Sequence, residues 1–391
     1  MARIIIAWEL GGNLGHLWSL LPVALQLRSR GHDVVFGLRA VDAAQRYLAP
    51  HGFRWFAAPV ARDTPPLGRD VGSYIDILAA CGADQVEHLQ GMVGAWQHLY
   101  AVLQSNLVIL EHSPFALLAA KQVGLPTLHL GTGFTIPPTL SPAPCFRPWD
   151  VGGQAARMQT QATVEQAVQS LFEKTLSLTE HFCADQTCLL SVTELDHYGA
   201  IRQPGSCFVG PLPSIPLGDL VKWTSSRELR ILVYLRTQPW TRAVLRALDA
   251  AGAEVIAVIP DAVPELAEGF SNIRLYREPV GLDAILECCD LVVAHGGHGM
   301  ALGALLCGVP MLLLPLHLEQ LLVTQGLVDI GAGIGILPVN VLSHFEGAVR
   351  ELLLQLRYRN AARSIATRYK ALSKAQALTK IVGIAEGLIT S

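Results

Sequence analysis

Short apolar runs without polar alternation recur along the first 130 positions, separated by stretches of helical spacing. Such runs suit strands buried on both faces, because a half-exposed strand would alternate. The pattern predicts strands over Arg3–Trp8, Asp33–Leu38, 53–57, 107–110 and 127–130, with helices over 17–30, 41–49 and 115–123 between them. Strand and helix alternating in this way give a parallel sheet covered by helices on both faces. The rhythm stops at residues 134–150, where Pro137, Pro138, Pro142, Pro144 and Pro148 exclude the interior of any element. A long loop is expected there, then a helical stretch over 159–179. Gly210-Pro211-Leu212-Pro213-Ser214-Ile215-Pro216 reads as a linker. After it the alternation restarts, with strands expected over 230–235, 254–259, Ile273–Tyr276, Leu291–Ala294 and 311–314. Residues 343–391 read as helices with a solvated basic face.

The expected fold class is therefore α/β, with two Rossmann-like, doubly wound parallel-sheet domains over residues 1–210 and 211–391. The last helix is left open to packing back on the first domain. In such sheets ligands bind at the carboxyl ends of the strands, here in a cleft between the two halves.

Composition narrows the class. Of 391 residues 51% are hydrophobic and 16% charged, which supplies core for two domains and argues against disorder. Lysine plus arginine (29) against aspartate plus glutamate (32) leaves −3, with no basic excess for a nucleic acid partner. Eight cysteines without regular spacing read as reduced thiols of a cytoplasmic protein. Glu9 closes the first apolar run too early for a secretory leader. The longest uncharged stretch, 299–316, is broken by Gly303, Gly308, Pro310 and Pro315, so no integral membrane segment is expected.

Three segments carry candidate chemistry. Gly11-Gly12-Asn13-Leu14-Gly15-His16 follows the first strand, and its glycines allow a sharp turn and close approach of a ligand. His16 is of the residue type suited to a general base toward a hydroxyl, though a histidine satisfied within a turn is the plainer reading. Ser19 reads as the cap of the following helix, with Pro22 in its first turn. A nicotinamide fingerprint is disfavoured, since Leu10 stands where it needs glycine and Leu38-Arg39 where it needs an acid. The second segment is Ala294-His295-Gly296-Gly297-His298-Gly299, a strand, a glycine turn and a helix start. Backbone N–H groups and the positive helix end converge there on a phosphate or diphosphate, with His295 able to donate to the same anion. A metal held by His295 and His298 is disfavoured, because no carboxylate follows at ligand spacing. The third is Glu319-Gln320 after the next strand, where a carboxylate and an amide side by side suit vicinal hydroxyls of a sugar.

Taken together, His295-Gly296-Gly297-His298-Gly299, Gly308-Val309-Pro310, Pro315 and Glu319-Gln320 resemble the nucleotide-sugar signature of UDP-glycosyltransferase-like enzymes, which have the two-Rossmann GT-B architecture. Gly15-His16 with Arg30-Gly31-His32, the segment ending in Glu111, and Gly210-Pro211-Leu212 before the next strand resemble other parts of that family. The resemblance implies an inverting, metal-independent glycosyltransferase. It would move a sugar from a UDP- or dTDP-linked donor to a hydroxyl of an apolar or aromatic small-molecule acceptor. His16 would be the catalytic base and Glu111 the acid that orients it. His295, Gly296, Gly297, His298, Gly299 and Thr237 would bind the donor diphosphate, Glu319 and Gln320 its sugar, and Arg277 and Val280 its nucleobase. Residues 60–100 and the proline-rich loop would bound the acceptor, with Trp96, Phe134 and Trp149 supplying surface. Departures stand beside these matches. Glutamate replaces the usual dyad aspartate, Arg236-Thr237 replaces a Gly-Ser pair, and Arg277-Glu278-Pro279-Val280 replaces a Trp-x-Pro-Gln motif. A non-catalytic nucleotide-sugar-binding protein and a sugar-nucleotide epimerase of the same architecture remain as alternatives. Cofactors are not expected, and the oligomeric state is not legible.

Overall fold

Ile4, Ile5, Ile6 and Ala7 leave no polar side to turn toward water. The strand they form, β1 (Arg3–Trp8), lies inside a six-stranded parallel sheet with β2 (Asp33–Leu38), β3 (Arg54–Ala57), β4 (Leu107–Glu111), β5 (Thr127–Gly131) and β6 (Gln186–Leu189). The order is β3-β2-β1-β4-β5-β6. Helices α1 (Gly15–Ser29), α2 (Val41–Tyr47), α3 (Tyr74–Ala80), α4 (Val86–Leu103), α5 (Pro114–Gln122), α6 (Gln154–Gln169) and α7 (Leu178–His181) accompany it. The structure is a computed structural model that describes all residues except 13, 61–66, 148, 151, 215–220, 225–228 and 391.

The second sheet repeats the design. It contains β7 (Arg230–Tyr234), β8 (Glu254–Val258), β9 (Ile273–Tyr276), β10 (Leu291–Ala294), β11 (Met311–Leu313) and β12 (Gly333–Gly335), all parallel, in the order β12-β11-β10-β7-β8-β9. Numbered within its own unit, that is again 3-2-1-4-5-6. Helices α8 (Thr241–Ala250), α9 (Asp283–Leu286), α10 (His298–Leu306), α11 (Leu318–Ile330), α12 (Val341–Leu354) and α13 (Leu356–Arg368) belong to it, and α14 (Lys374–Thr390) ends the chain. The compact units do not divide at a single point. One comprises Met1–Ser191, Tyr198–Pro213 and Lys374–Ser391, the other Val192–His197 and Ser214–Ser373. The chain thus has two Rossmann-like sheets. Among the described residues no helix is long and apolar enough to cross a membrane.

Two local expectations need correcting. Helix α1 begins at Gly15, so Ser19 lies inside it and its hydroxyl donates back to the Gly15 carbonyl at 3.0 Å rather than capping. Pro22 is then in the helix interior, where its missing N–H leaves the Trp18 carbonyl without the usual partner. The stretch expected as one helix over 159–179 is two. Helix α6 ends at Gln169, and Ser177 starts α7 with a capping box, accepting from the Glu180 amide while Glu180 accepts from Ser177.

Candidate active site

In each sheet the winding reverses between the first and fourth strands, the position where such folds bind ligands. In the first unit that position joins β1 and β4, with Trp8 paired beside Glu111. His16, the second residue of α1, meets Glu111 there, Nδ1 to Oε2 at 2.6 Å, and both side chains are largely buried. An acid at Nδ1 fixes the ring and leaves Nε2 as the atom that can take a substrate proton. Gly11 makes this possible. Its φ is +85°, and a Cβ there would lie 2.2 Å from His16 Nε2. The structure therefore brings together the two residues expected to form the dyad.

Sequence reasoning missed what holds them. Glu9 is buried just after β1, where its carboxyl oxygens accept from the Phe115 amide at 2.9 Å and from the Trp96 indole N–H. Burial pushes its pKa up to about 8 against these hydrogen bonds. The Glu9 amide donates to Ser113 Oγ at 3.0 Å, and the Leu10 amide to the His112 carbonyl at 3.0 Å. These bonds stitch the loop carrying His16 to the loop after Glu111. His112 itself adopts φ +44°, a left-handed conformation uncommon without glycine. Its ring lies 6.0 Å from that of His16, its Nε2 is buried without a partner, and burial holds its pKa well below the usual value. The one sequence signal was an acidic residue directly after an unbroken apolar strand.

Of the residues expected to face an acceptor, Trp96 does not. It is fully buried on the apolar face of α4, against Gly37, whose Cβ would lie 2.6 Å from the indole. The helical spacing of Leu89, Met92, Val93, Trp96 and Tyr100 makes that face core. Phe134 is half-buried, stacked on Phe146 at 4.8 Å and edge-on to His112 at 6.5 Å, which keeps it beside the dyad. Trp149 is 58% exposed. Residues 61–66 of the expected acceptor region lie outside the described residues.

In the second unit the reversal joins β7 and β10. His295 is buried there with both ring nitrogens engaged. Nδ1 bonds the Leu314 carbonyl at 2.8 Å, and Nε2 accepts from the Arg236 amide at 2.8 Å. A carbonyl only accepts and an amide only donates, so the proton sits on Nδ1. Burial, ahead of these bonds, moves the His295 pKa down. The expected donation from His295 to an anion is thus corrected: the imidazole ties the glycine turn to the loops after β7 and β11. What the turn offers instead is backbone. Gly296 has φ +88°, and a Cβ there would lie 3.0 Å from both the Gln320 carbonyl and Thr324 Oγ1. Gly297 caps α10, and a Cβ at Gly297 or Gly299 would meet no atom within 4 Å. Both glycines are exposed, so the turn and the start of α10 can be approached closely. His298 opens α10, and burial takes its pKa down to about 4.

The other expected donor residues line the same carboxyl edge. Thr237 is exposed after β7, its amide donating to Asp261 Oδ1 at 3.0 Å. Glu319 and Gln320 open α11, where Gln320 Oε1 accepts from the Leu316 amide at 2.8 Å and so shapes the turn as well. Arg277 is exposed just beyond β9, and Val280 is half-buried, packed against the core cluster under the sheet. Among the described residues no group of three or more His, Cys, Asp or Glu side chains clusters as metal ligands do.

Residues 242–384 match the family described as erythromycin biosynthesis protein CIII-like, C-terminal domain. Among solved structures, the calicheamicin glycosyltransferase CalG4 superposes with a TM-score of 0.75 at 17% identity, over 100% of this chain and 98% of that one. The chain has the GT-B fold. The spinosyn rhamnosyltransferase SpnG complexed with spinosyn aglycone gives 0.69 at 17% identity, covering 98% of this chain and 100% of its own. The glycosyltransferase VinC in complex with dTDP gives 0.66 at 19%, covering 98% and 99%. No curated protein matches the sequence. The GT-B fold and the domain match agree with the resemblance that the glycine-turn signature carries.

Proposed function

We propose that this protein is an inverting, metal-independent glycosyltransferase that moves a sugar from a nucleoside diphosphate donor to a hydroxyl of a small apolar acceptor. The observation that carries the reading is the His16–Glu111 contact at 2.6 Å, a buried acid on one nitrogen of an imidazole at the ligand-binding edge of its sheet. A protein that only bound nucleotide sugars would have no use for it.

The acceptor hydroxyl gives its proton to His16 Nε2 while its oxygen forms a bond to the anomeric carbon. The bond from that carbon to the diphosphate breaks, and its electron pair leaves on the phosphate oxygen. Glu111 stabilises the imidazolium that forms. The leaving charge falls to the amides of residues 297–299 and the N-terminus of α10. Along the carboxyl edge of the second sheet the candidates run in the order Arg277, Thr237, the 295–299 turn, then Glu319 and Gln320. That order suits base, diphosphate and sugar of one extended donor. VinC was solved with dTDP and SpnG with an aglycone, which supports a donor and acceptor of these classes.

The test is transfer kinetics of His16→Ala and Glu111→Gln beside calorimetric titration with UDP and dTDP. Loss of a positioned base costs about 10²–10⁴ in rate. His16→Ala should lose that much, with nucleotide affinity within a few fold of the parent. Activity in both parent and variants should be indifferent to EDTA. Near-normal turnover of His16→Ala ends the assignment.

A further inference from the structure

His129 lies in the middle of β5, paired with Thr187 of β6, so His129, Thr187 and Leu189 share one face of the first sheet. Over that face lies a cavity of about 140 Å³. Ile75, Ile136, Pro137, Pro138, Phe182 and Leu189 give it an apolar wall. The proline-rich roof is pinned in place, with Arg202 donating to the Ile136 carbonyl at 2.8 Å and Gln203 to the Thr139 carbonyl at 3.1 Å. Against this wall stands one polar group in debt. His129 is 5% exposed, and its Nε2 is buried with no hydrogen-bond partner. Burial takes its pKa down to about 4, so the ring is neutral near pH 7. A buried nitrogen without a partner is costly, and the adjoining cavity is where a partner fits. Thr139, Thr179, Thr187, Gln203 and Ser206 add to the lining, and the volume is close to the ~150 Å³ that admits a benzene ring.

We propose that this cavity is the subsite for one ring of the acceptor, an apolar six-membered ring bearing a neutral hydroxyl or carbonyl that bonds His129 Nε2. The assignment to the acceptor rests on the transferase reading. Tyr74, which lines the cavity, has its ring 5.9 Å from His112, whose ring is 6.0 Å from His16. Cavity wall and base are therefore joined by a continuous row of rings.

Phenol, benzene and benzoate serve as probes, titrated into the full-length chain and followed by ligand-observed NMR. Phenol should bind in the millimolar range expected of so small a ligand. Benzene should bind about tenfold more weakly for want of the hydrogen bond, and benzoate more weakly still because its charge is buried. His129→Phe should bring phenol to the level of benzene. Ala143→Phe and Thr187→Phe, which fill the cavity from different segments, should each exclude both. Absence of phenol binding to the parent, or tighter binding of benzoate than of phenol, overturns the ring site without reference to any variant. Phenol binding requires neither donor nor turnover, so its failure is separate from failure of the transferase reading. If phenol binds but transfer to aromatic acceptors is unaffected by Ala143→Phe, the assignment to the acceptor is overturned.

Discussion

His16 and His295 both stand where a sheet reverses its winding, and their partners decide what each can do. His16 has a carboxylate on Nδ1 and its Nε2 turned to a glycine. His295 has a carbonyl on one nitrogen and an amide on the other. The first arrangement allows a proton to be taken up. The second spends the ring on geometry. Glu9 is the third residue whose surroundings set its chemistry, and it makes a prediction about pH. Its pKa in the folded chain is about 8 against 4.5 for an ordinary glutamate. Raised in the folded state, the carboxyl contributes stability that is whole below pH 4.5 and is lost as the pH rises toward 8. Within that window the loss is about 1.4 kcal/mol per pH unit, an order-of-magnitude figure for a buried group. At lower pH, His112, His129, His295 and His298, whose pKa values burial lowers, make stability rise with pH. Thermal melts of the parent should therefore fall between pH 7 and 8, above that range, and Glu9→Gln, which cannot ionise, should flatten the decline. An equal slope in the variant would assign the pH dependence elsewhere.

At the level of elements, the strands were legible because both faces are buried. Arg3–Trp8, Asp33–Leu38 and Leu291–Ala294 have the bounds that their apolar runs predict, and Ile273–Tyr276 does too although it is an edge strand with only Ile273 buried. Strands β6 and β12 were not. The first begins with Gln186 and Thr187 at a sheet edge, and the second is Gly-Ile-Gly. Gly333 is glycine because a Cβ would lie 2.7 Å from the Met311 carbonyl, a contact between strands that no local pattern announces. The candidate site divides in the same way. Glycine turns after strands pointed to His16 and to the 295–299 segment. The partners that tie up His295 are backbone groups 59 and 19 residues away, invisible to residue type. Trp96 misled because an aromatic on a helix looks alike whether it faces ligand or sheet. The turn after β1 gives the prediction at this scale. Gly11→Ala would add a Cβ 2.2 Å from His16 Nε2 at a backbone φ of +85°. The imidazole must move off Glu111 or the turn must open. Transfer should fall about as far as in His16→Ala, roughly 10²-fold or more, while calorimetric affinity for UDP or dTDP stays within a few fold. A variant with parental turnover would mean that the ring need not stay where the structure has it.

At the scale of the whole chain, the last helix returns to the unit that contains the first strand. Helix α14 buries Ala377, Ile381, Val382 and Ala385 and packs against α1 and β4. At its far end Glu386 pairs with Arg30 at 2.6 Å and lies 3.4 Å from His32. The ion pair is about one-third exposed on both sides, and such pairs are worth ~0–1 kcal/mol. The two branched side chains alone are worth about 1.5–3 kcal/mol each, so the apolar face decides the matter. Removing residues 374–391 should therefore destabilise the first unit by several kcal/mol, a fall in its melting temperature on the order of 10 °C for a unit of this size. Glu386→Ala should lower it by no more than about 4 °C. Tryptophan fluorescence can follow this, because Trp8, Trp18, Trp55, Trp96 and Trp149 all lie in the first unit and only Trp223 and Trp240 in the second. Nucleoside diphosphate affinity should survive the truncation, since its candidate residues belong to the second unit. A Glu386→Ala variant that loses as much as the truncation would mean that charge rather than apolar packing holds the returning helix, and a truncated chain that melts as the parent does would mean that the helix adds no stability to the first unit.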